Sequence, residues 1–75
     1  MGEHYTWDEV EPLFVYLVQA LYGDVKDHVP ERPSAIDPLE RLKWDYWVKA
    51  DGMSKKEARK RFMEAAIPIM KRNGF

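Results

Sequence analysis

The sequence predicts a small all-α domain, and three observations support this fold class. Apolar residues recur at intervals of three and four in three segments, near residues 7–22, 38–51 and 54–72, as they do along one face of an α-helix. Each segment begins at a residue type that caps helices and is followed by a glycine. No segment alternates as a β-strand does. We therefore expect one antiparallel bundle over residues 1–75.

The first helix is predicted from Trp7 to Tyr22. Thr6 and Glu9 have the spacing of a capping box, and Gly23 is a typical stop. Pro12 interrupts the pattern, so either the helix kinks there or it begins at Pro12. The apolar positions are Val10, Leu13, Phe14, Leu17, Val18 and Leu21.

Two further helices follow a long loop predicted over residues 24–37, which is rich in proline. The second helix is expected to be capped by Asp37, with Pro38 in its first turn, and to end at Gly52. The third begins at Ser54, which forms a capping box with Glu57. The side chain of Glu40 is expected to close the box of the second helix. Pro68 is expected to bend the third.

Composition excludes several functional classes. The chain has 75 residues, no cysteine and a net charge of −1, so thiol chemistry is excluded. No apolar run is long enough to cross a bilayer, so we expect no integral membrane segment and a cytoplasmic location. The first 33 residues are acidic and the remainder basic. This asymmetry indicates either a surface that attracts phosphate or two halves that attract each other.

Neither catalysis nor DNA binding is favoured. Ser34 and Ser54 have no neighbouring base, and His4 and His28 have no second metal ligand at helical spacing, so we expect no enzyme activity, metal or cofactor. The turn at residues 51–53 and the lysines after it superficially suit a helix-turn-helix. The net charge is wrong for that class, so no nucleic-acid partner is expected.

The second helix carries the residues most suited to a ligand. Trp44, Tyr46 and Trp47 are nearly consecutive, so one helix face cannot bury all three. At least one should point to a groove, a partner or the solvent boundary. Lys43, beside them, either meets a phosphate or extends its amine into water along apolar surface.

From Glu31 onward the chain resembles the acyl-CoA-binding protein (diazepam-binding inhibitor) family. The matching residues are Glu31-Arg32-Pro33, then Lys43-Trp44-Asp45-Tyr46-Trp47, then Gly52-Met53-Ser54-Lys55 with Glu57-Ala58. Upstream, Gln19-Ala20 and Gly23-Asp24 are similar to the family's Q-A-x-x-G-D. Together they span about 60 of the 75 residues.

The resemblance implies a ligand site for long-chain acyl-CoA between helices. It assigns Lys43 to the 3′-phosphate of the nucleotide head, with Trp44 beside it. Phe62, Phe14 and Leu17 occupy positions where the family has aromatic residues near the ligand. Val18 replaces a second phosphate-binding lysine, and Tyr16 becomes the ligand-facing aromatic in an alternative, gapped register. Lys26, His28 or Arg32 are candidates to replace the lost cation.

The family's first helix would precede Thr6, where this sequence has too few residues to form it. Three helices are therefore expected to leave an apolar face uncovered, because Leu13–Val18 is apolar nearly all round. A homodimer would cover that face. The expected function is non-enzymatic binding and transport of acyl-CoA. The alternative is a fold that has lost its ligand and acts as a protein-interaction or self-associating module.

Overall fold

A computed structural model describes residues 6–74 of the chain. It contains three α-helices, α1 (Trp7–Tyr22), α2 (Pro38–Trp47) and α3 (Lys55–Arg72), and no strand among the residues it describes. Short 3₁₀-helices lie at Val25–Asp27 and Val48–Ala50. The predicted all-α class and the three helices are confirmed.

Helix α1 has the bounds that the sequence predicts. The backbone N–H of Thr6 donates to the carboxylate of Glu9 at 3.0 Å, as in a capping box. Pro12 lies inside the helix, so the alternative in which the helix begins at Pro12 is wrong. Gly23 ends it with a positive φ of 83°, and its N–H donates to the carbonyl of Gln19 at 2.9 Å. A residue with a side chain would be strained at this φ.

Helix α2 is shorter than predicted. It ends at Trp47, and the chain then tightens into the 3₁₀-helix Val48–Ala50 before the turn at Gly52. Asp37 takes the predicted N-cap position, but its side chain makes no capping hydrogen bond. Its ψ of 70° departs from the extended backbone that an N-cap normally has. Pro38 does take the first position, where its missing N–H costs nothing.

The connection from α1 to α2 is not wholly irregular. The 3₁₀-helix Val25–Asp27 interrupts the loop predicted over residues 24–37, and it carries Val25, which is fully buried. This buried side chain is one of the contacts that attach the connecting segment to the core.

Helix α3 begins as predicted and is the longest. The hydroxyl of Ser54 accepts from the backbone N–H of Glu57 at 3.1 Å, and Pro68 lies inside the helix. At its end the side-chain amide of Asn73 donates to the carbonyl of Ile69 at 2.8 Å. These bonds satisfy backbone groups that each helix end leaves unpaired.

The core is small, and α1 and α3 form most of it. They run antiparallel, because Arg72 near the end of α3 pairs with Glu9 near the start of α1 through two hydrogen bonds of 2.7 and 2.9 Å. The buried residues are Val15, Gln19, Val25, Ala50, Ala58 and Ala66. Because most of these side chains are small, larger apolar ones remain at the surface. None of the helices described is long and apolar enough to span a membrane.

Candidate functional site

A cavity of about 460 Å³ lies between α1, α2 and the segment that connects them. Helix α1 supplies Phe14 and Val18, which are four residues apart and share one face. Helix α2 supplies Lys43, Trp44 and Trp47. The remaining lining residues are Val25, Val29, Pro33, Asp37 and Glu40. The size and the mainly apolar wall are typical of small-molecule sites.

The two tryptophans are held by hydrogen bonds to the connecting segment. The indole N–H of Trp44 donates to the carbonyl of Val29 at 2.9 Å. That of Trp47 donates to the carbonyl of Gly23 at 2.8 Å. Tyr46 contributes elsewhere, with its ring centroid 6.4 Å from that of Phe14. The side chains that line the cavity are therefore oriented by the fold before any ligand arrives.

Lys43 lies at the rim of the cavity with an acidic neighbour. Its ammonium is 3.2 Å from the carboxylate of Glu40, and both side chains are 53% exposed. Asp37 lines the same rim. The cation is thus available to solvent, but the adjacent Glu40 carboxylate reduces the attraction for an anionic ligand.

Arg32 and Asp45 fasten the connecting segment to α2. Two hydrogen bonds of 2.8 and 2.7 Å join the guanidinium to the carboxylate in the fork arrangement. The bonded guanidinium lowers the pKa of the Asp45 carboxyl below its usual value. Arg32 is therefore engaged in holding the cavity wall, where Pro33 lies.

The other two candidate substitute cations differ in their surroundings. His28 forms a 2.7 Å hydrogen bond between its Nε2 and the carbonyl of Tyr22, and its ring stacks on Trp47 at 5.7 Å. Lys26 is exposed and forms no ion pair with the part of the chain that the structure describes. Neither residue lines the cavity.

The predicted site residues divide between two places. Phe14, Val18, Lys43 and Trp44 line the cavity just described. Leu17 and Phe62 instead line a second hollow of about 290 Å³ between α1 and α3, together with Ala20, Leu21, Arg59 and Met63. Tyr16 lines neither, and its hydroxyl is close enough to Arg61 to help Glu57 raise the pKa of that guanidinium.

Beneath the cavity, Gln19 joins three parts of the chain. Its side chain is fully buried, and its amide N–H groups donate to Asp24 Oδ1 and to the carbonyl of Met53, both at 2.7 Å. The backbone N–H of Gly52 donates to the same Asp24 oxygen at 2.8 Å. The amide of Gln19 and this N–H lower the pKa of Asp24. The network fixes the end of α1 against the turn before α3.

Sequence reasoning did not assign several lining residues to the site. Val25, Val29 and Pro33 recur every four residues in a segment that is not one α-helix, and this apolar spacing was the available signal. Asp37 and Glu40 were interpreted only as helix caps. No group of three potential metal ligands occurs in residues 6–74, and His4 lies outside those residues.

Comparisons with known proteins identify a family and similar proteins. A model of the family "Acyl CoA binding protein" matches residues 4–66. "Autophagy-related protein 37" of Gibberella zeae is 43% identical over 61 residues, which cover 72% of this chain and 20% of the relative. "Acyl-CoA-binding protein homolog 3" of Caenorhabditis elegans is 40% identical over 47 residues, 63% of this chain and 38% of the relative.

This chain therefore spans a fifth to under two fifths of the relatives it matches. No solved structure matches it. The family model covers most of the chain, including all the residues that line both cavities, and the chain belongs to the acyl-CoA-binding protein family.

Proposed function

We propose that this chain binds and carries long-chain acyl-CoA without chemical conversion of the thioester. Lys43 engages a phosphate of the nucleotide head, and Trp44 offers a face on which adenine stacks. The acyl chain lies along the apolar groove between helices that Phe14 and Val18 border. Residues 1–75 act together as one binding domain in the cytoplasm, and cell fractionation checks that location.

The observation that carries this proposal is the composition of the larger cavity. One flexible cation stands at the rim of a mainly apolar hollow that two oriented tryptophans border. Acyl-CoA has matching charged and apolar parts, because a charged nucleotide is joined to a long aliphatic chain. A site for a free nucleotide would not need the apolar wall, and a site for a free fatty acid would not need the aromatic rings.

The pair between Lys43 and Glu40 sets the strength of the head-group contact. A phosphate must draw the ammonium away from Glu40, and exposed pairs of this type contribute only about 0–1 kcal/mol. A charge-assisted hydrogen bond to phosphate contributes about 1.5–3 kcal/mol. Replacing the Glu40 carboxylate by a phosphate as the partner of Lys43 therefore favours ligand binding, although the nearby Glu40 carboxylate reduces the free energy gained.

Isothermal titration with palmitoyl-CoA, free CoA and palmitate in parallel tests the proposal. We expect the thioester to bind more tightly than either part. Lys43→Ala should weaken it by about tenfold to a hundredfold, from the loss of one charge-assisted bond. Lys60→Ala removes an exposed α3 lysine that does not line the cavity, and it should leave the affinity unchanged. Equal affinities of the two variants would contradict the role of Lys43.

The alternative function is a protein-interaction or self-associating module that keeps the fold and has lost the ligand. Large apolar side chains exposed on α1 and α3 support it, because a homodimer would cover them. No heat with any of the three compounds from a folded sample, and a solution mass of twice 8.9 kDa by light scattering, would favour this alternative.

A further inference from the structure

One side of the molecule exposes a row of large apolar side chains on two adjacent helices. Five such residues are 40% to 57% exposed. They are Leu17 and Leu21 on α1 and Met63, Ile67 and Met70 on α3. We name these five residues the α1/α3 face. A cluster of this kind on a small domain marks a surface that meets another apolar phase.

The apolar side chains of α1 and those of α3 form one continuous surface. Leu17 and Leu21 border the hollow of about 290 Å³ whose other wall is Phe62 and Met63. Arg59 completes that wall, so a cation lies directly beside the apolar side chains. The face therefore combines a shallow apolar trough with positive charge at one end.

Further cations surround the same end of α3. Lys56 and Lys60 are exposed beside Arg59, and none of the three forms an ion pair with residues 6–74. By contrast, the Glu57 carboxylate is bonded to Arg61 at 2.8 Å. At about 100° per residue, Glu64 lies about 100° around the helix from Met63, but it follows Lys60 by one turn and is a carboxylate neighbour of that lysine.

The acidic residues of α1 also lie away from this surface. Asp8 precedes Leu17 by nine residues, which places it on the opposite side of the helix at about 100° per residue. Glu9 is bonded to Arg72, and Glu11 forms an ion pair with Lys49. The carboxylates Glu9, Glu11 and Glu57 are thus paired with other cations, and Lys56 and Arg59 form no ion pair with residues 6–74.

We propose that the α1/α3 face docks onto the surface of an anionic lipid bilayer. The five apolar side chains enter the boundary between head groups and acyl chains, and Lys56, Arg59 and Lys60 meet the anionic head groups. Apolar area combined with basic residues is how peripheral helices bind membranes. Each cation near an anionic membrane adds about 1 kcal/mol, which is about a fivefold increase in partitioning.

Charge favours a bilayer over a second copy as the occupant. In a two-fold dimer, the basic end of one α3 faces either the basic end or the apolar end of its partner. Neither supplies an anion to Lys56, Arg59 and Lys60. An anionic membrane supplies an apolar interior for the five apolar side chains and anionic head groups for the three cations. The larger cavity shares no lining residue with the hollow that Leu17 and Leu21 border, and Lys43 lines only the larger cavity.

Sedimentation with lipid vesicles tests this inference. We expect binding to phosphatidylcholine–phosphatidylserine vesicles that weakens with added salt, and much weaker binding to phosphatidylcholine alone. Leu21→Glu should reduce partitioning by about tenfold or more, because it places a carboxylate among the docking side chains. Ile36→Glu is the matched control, since Ile36 is 92% exposed before α2, and it should change partitioning less than about twofold. Lys56→Gln with Arg59→Gln should reduce the preference for the anionic vesicles by about 25-fold, from the loss of two cations at about fivefold each.

Three results would overturn the inference. The first is no binding of the wild-type chain to the mixed vesicles, and the second is equal partitioning of Leu21→Glu and Ile36→Glu. The third is a dimeric wild-type mass that Leu21→Glu converts to a monomer, which would assign the face to a second copy. Circular dichroism establishes that each variant is folded. Palmitoyl-CoA titration of the same samples separates failure of docking from failure of the carrier function, because Leu21 does not line the larger cavity.

Discussion

Gln19 offers a sharp test of how this small fold is held together. Its buried amide donates one hydrogen bond to the Asp24 carboxylate and one to the Met53 carbonyl. Gln19→Leu keeps a similar volume and removes both bonds. A bond to a charged group contributes about 1.5–3 kcal/mol and a neutral one about 1 kcal/mol. The substitution also removes the amide oxygen of Gln19, which is buried without a partner, and this offsets about 1–3 kcal/mol.

The net cost of Gln19→Leu is therefore about 1 kcal/mol. For a domain of this size that lowers the thermal midpoint by about 4–8 °C. Gln19→Glu keeps the shape but places a carboxylate where the amide now donates to Asp24 and Met53. An uncompensated buried charge costs about 3–5 kcal/mol, so this variant should unfold at a lower temperature still.

Acid should bring the thermal midpoints of the two variants closer together. Burial beside Asp24 raises the folded-state pKa of a carboxyl at position 19 above its unfolded value. When this carboxyl is protonated it carries no buried charge. The free-energy penalty of Gln19→Glu should therefore shrink as the pH falls toward about 4.5. Thermal unfolding followed by far-ultraviolet circular dichroism at neutral and acidic pH measures both effects. Equal midpoints of the two variants at neutral pH, or a Gln19→Leu midpoint equal to that of the wild type, would refute the reasoning.

Four other perturbations follow from the same contacts. Glu40→Gln releases Lys43, so calorimetry should show palmitoyl-CoA binding severalfold tighter, and weaker binding would contradict competition between carboxylate and phosphate. Asp45→Asn removes the charged partner that holds the cavity wall, and the affinity should fall severalfold while the thermal midpoint moves by only a few degrees. The pKa of Asp24 is lowered, so its stabilisation is complete above its ordinary value of 3.8 and is lost as the pH falls further; Asp24→Asn should flatten the acid limb of the unfolding curve. Gly23→Ala forces a side chain into a φ of 83° and should cost about 1 kcal/mol, seen as a lower midpoint.

Local signals in the sequence were enough to predict α1 and α3. Thr6 and Ser54 mark where the two helices begin, and Gly23 marks where α1 ends, because capping and positive φ depend on residues close in the chain. The end of α2 was placed too late. The turn that follows it is tied by the N–H of Gly52 to Asp24, 28 residues away, and no local pattern specifies that contact.

Four of the residues that line the larger cavity could be selected as site candidates from the sequence, and the other lining residues could not. Phe14 and Val18 share a face of α1, and the structure brings them to Lys43 and Trp44. Leu17 is adjacent in sequence to Val18 but lies about 100° around the helix, so it reaches the hollow against α3 instead. Matching the sequence to a family pattern assigns a role to each residue separately. The direction in which each residue points from the helix decides which of those residues line the same cavity.

The hydrogen bonds among the residues of the family motifs show that these motifs hold the fold together. Arg32 of the Glu-Arg-Pro segment bonds Asp45 of the Lys-Trp-Asp segment, and Gln19 bonds Asp24 of its own motif. Trp47 likewise bonds the carbonyl of Gly23. These residues hold the framework to itself, so selection for the fold alone would preserve them after the ligand was lost. Lys43 is different, because its described partner is only an exposed Glu40. The motifs therefore indicate the family to which the chain belongs, but not whether it still binds a ligand. The opposite effects expected for Lys43→Ala and Glu40→Gln on palmitoyl-CoA binding test that function.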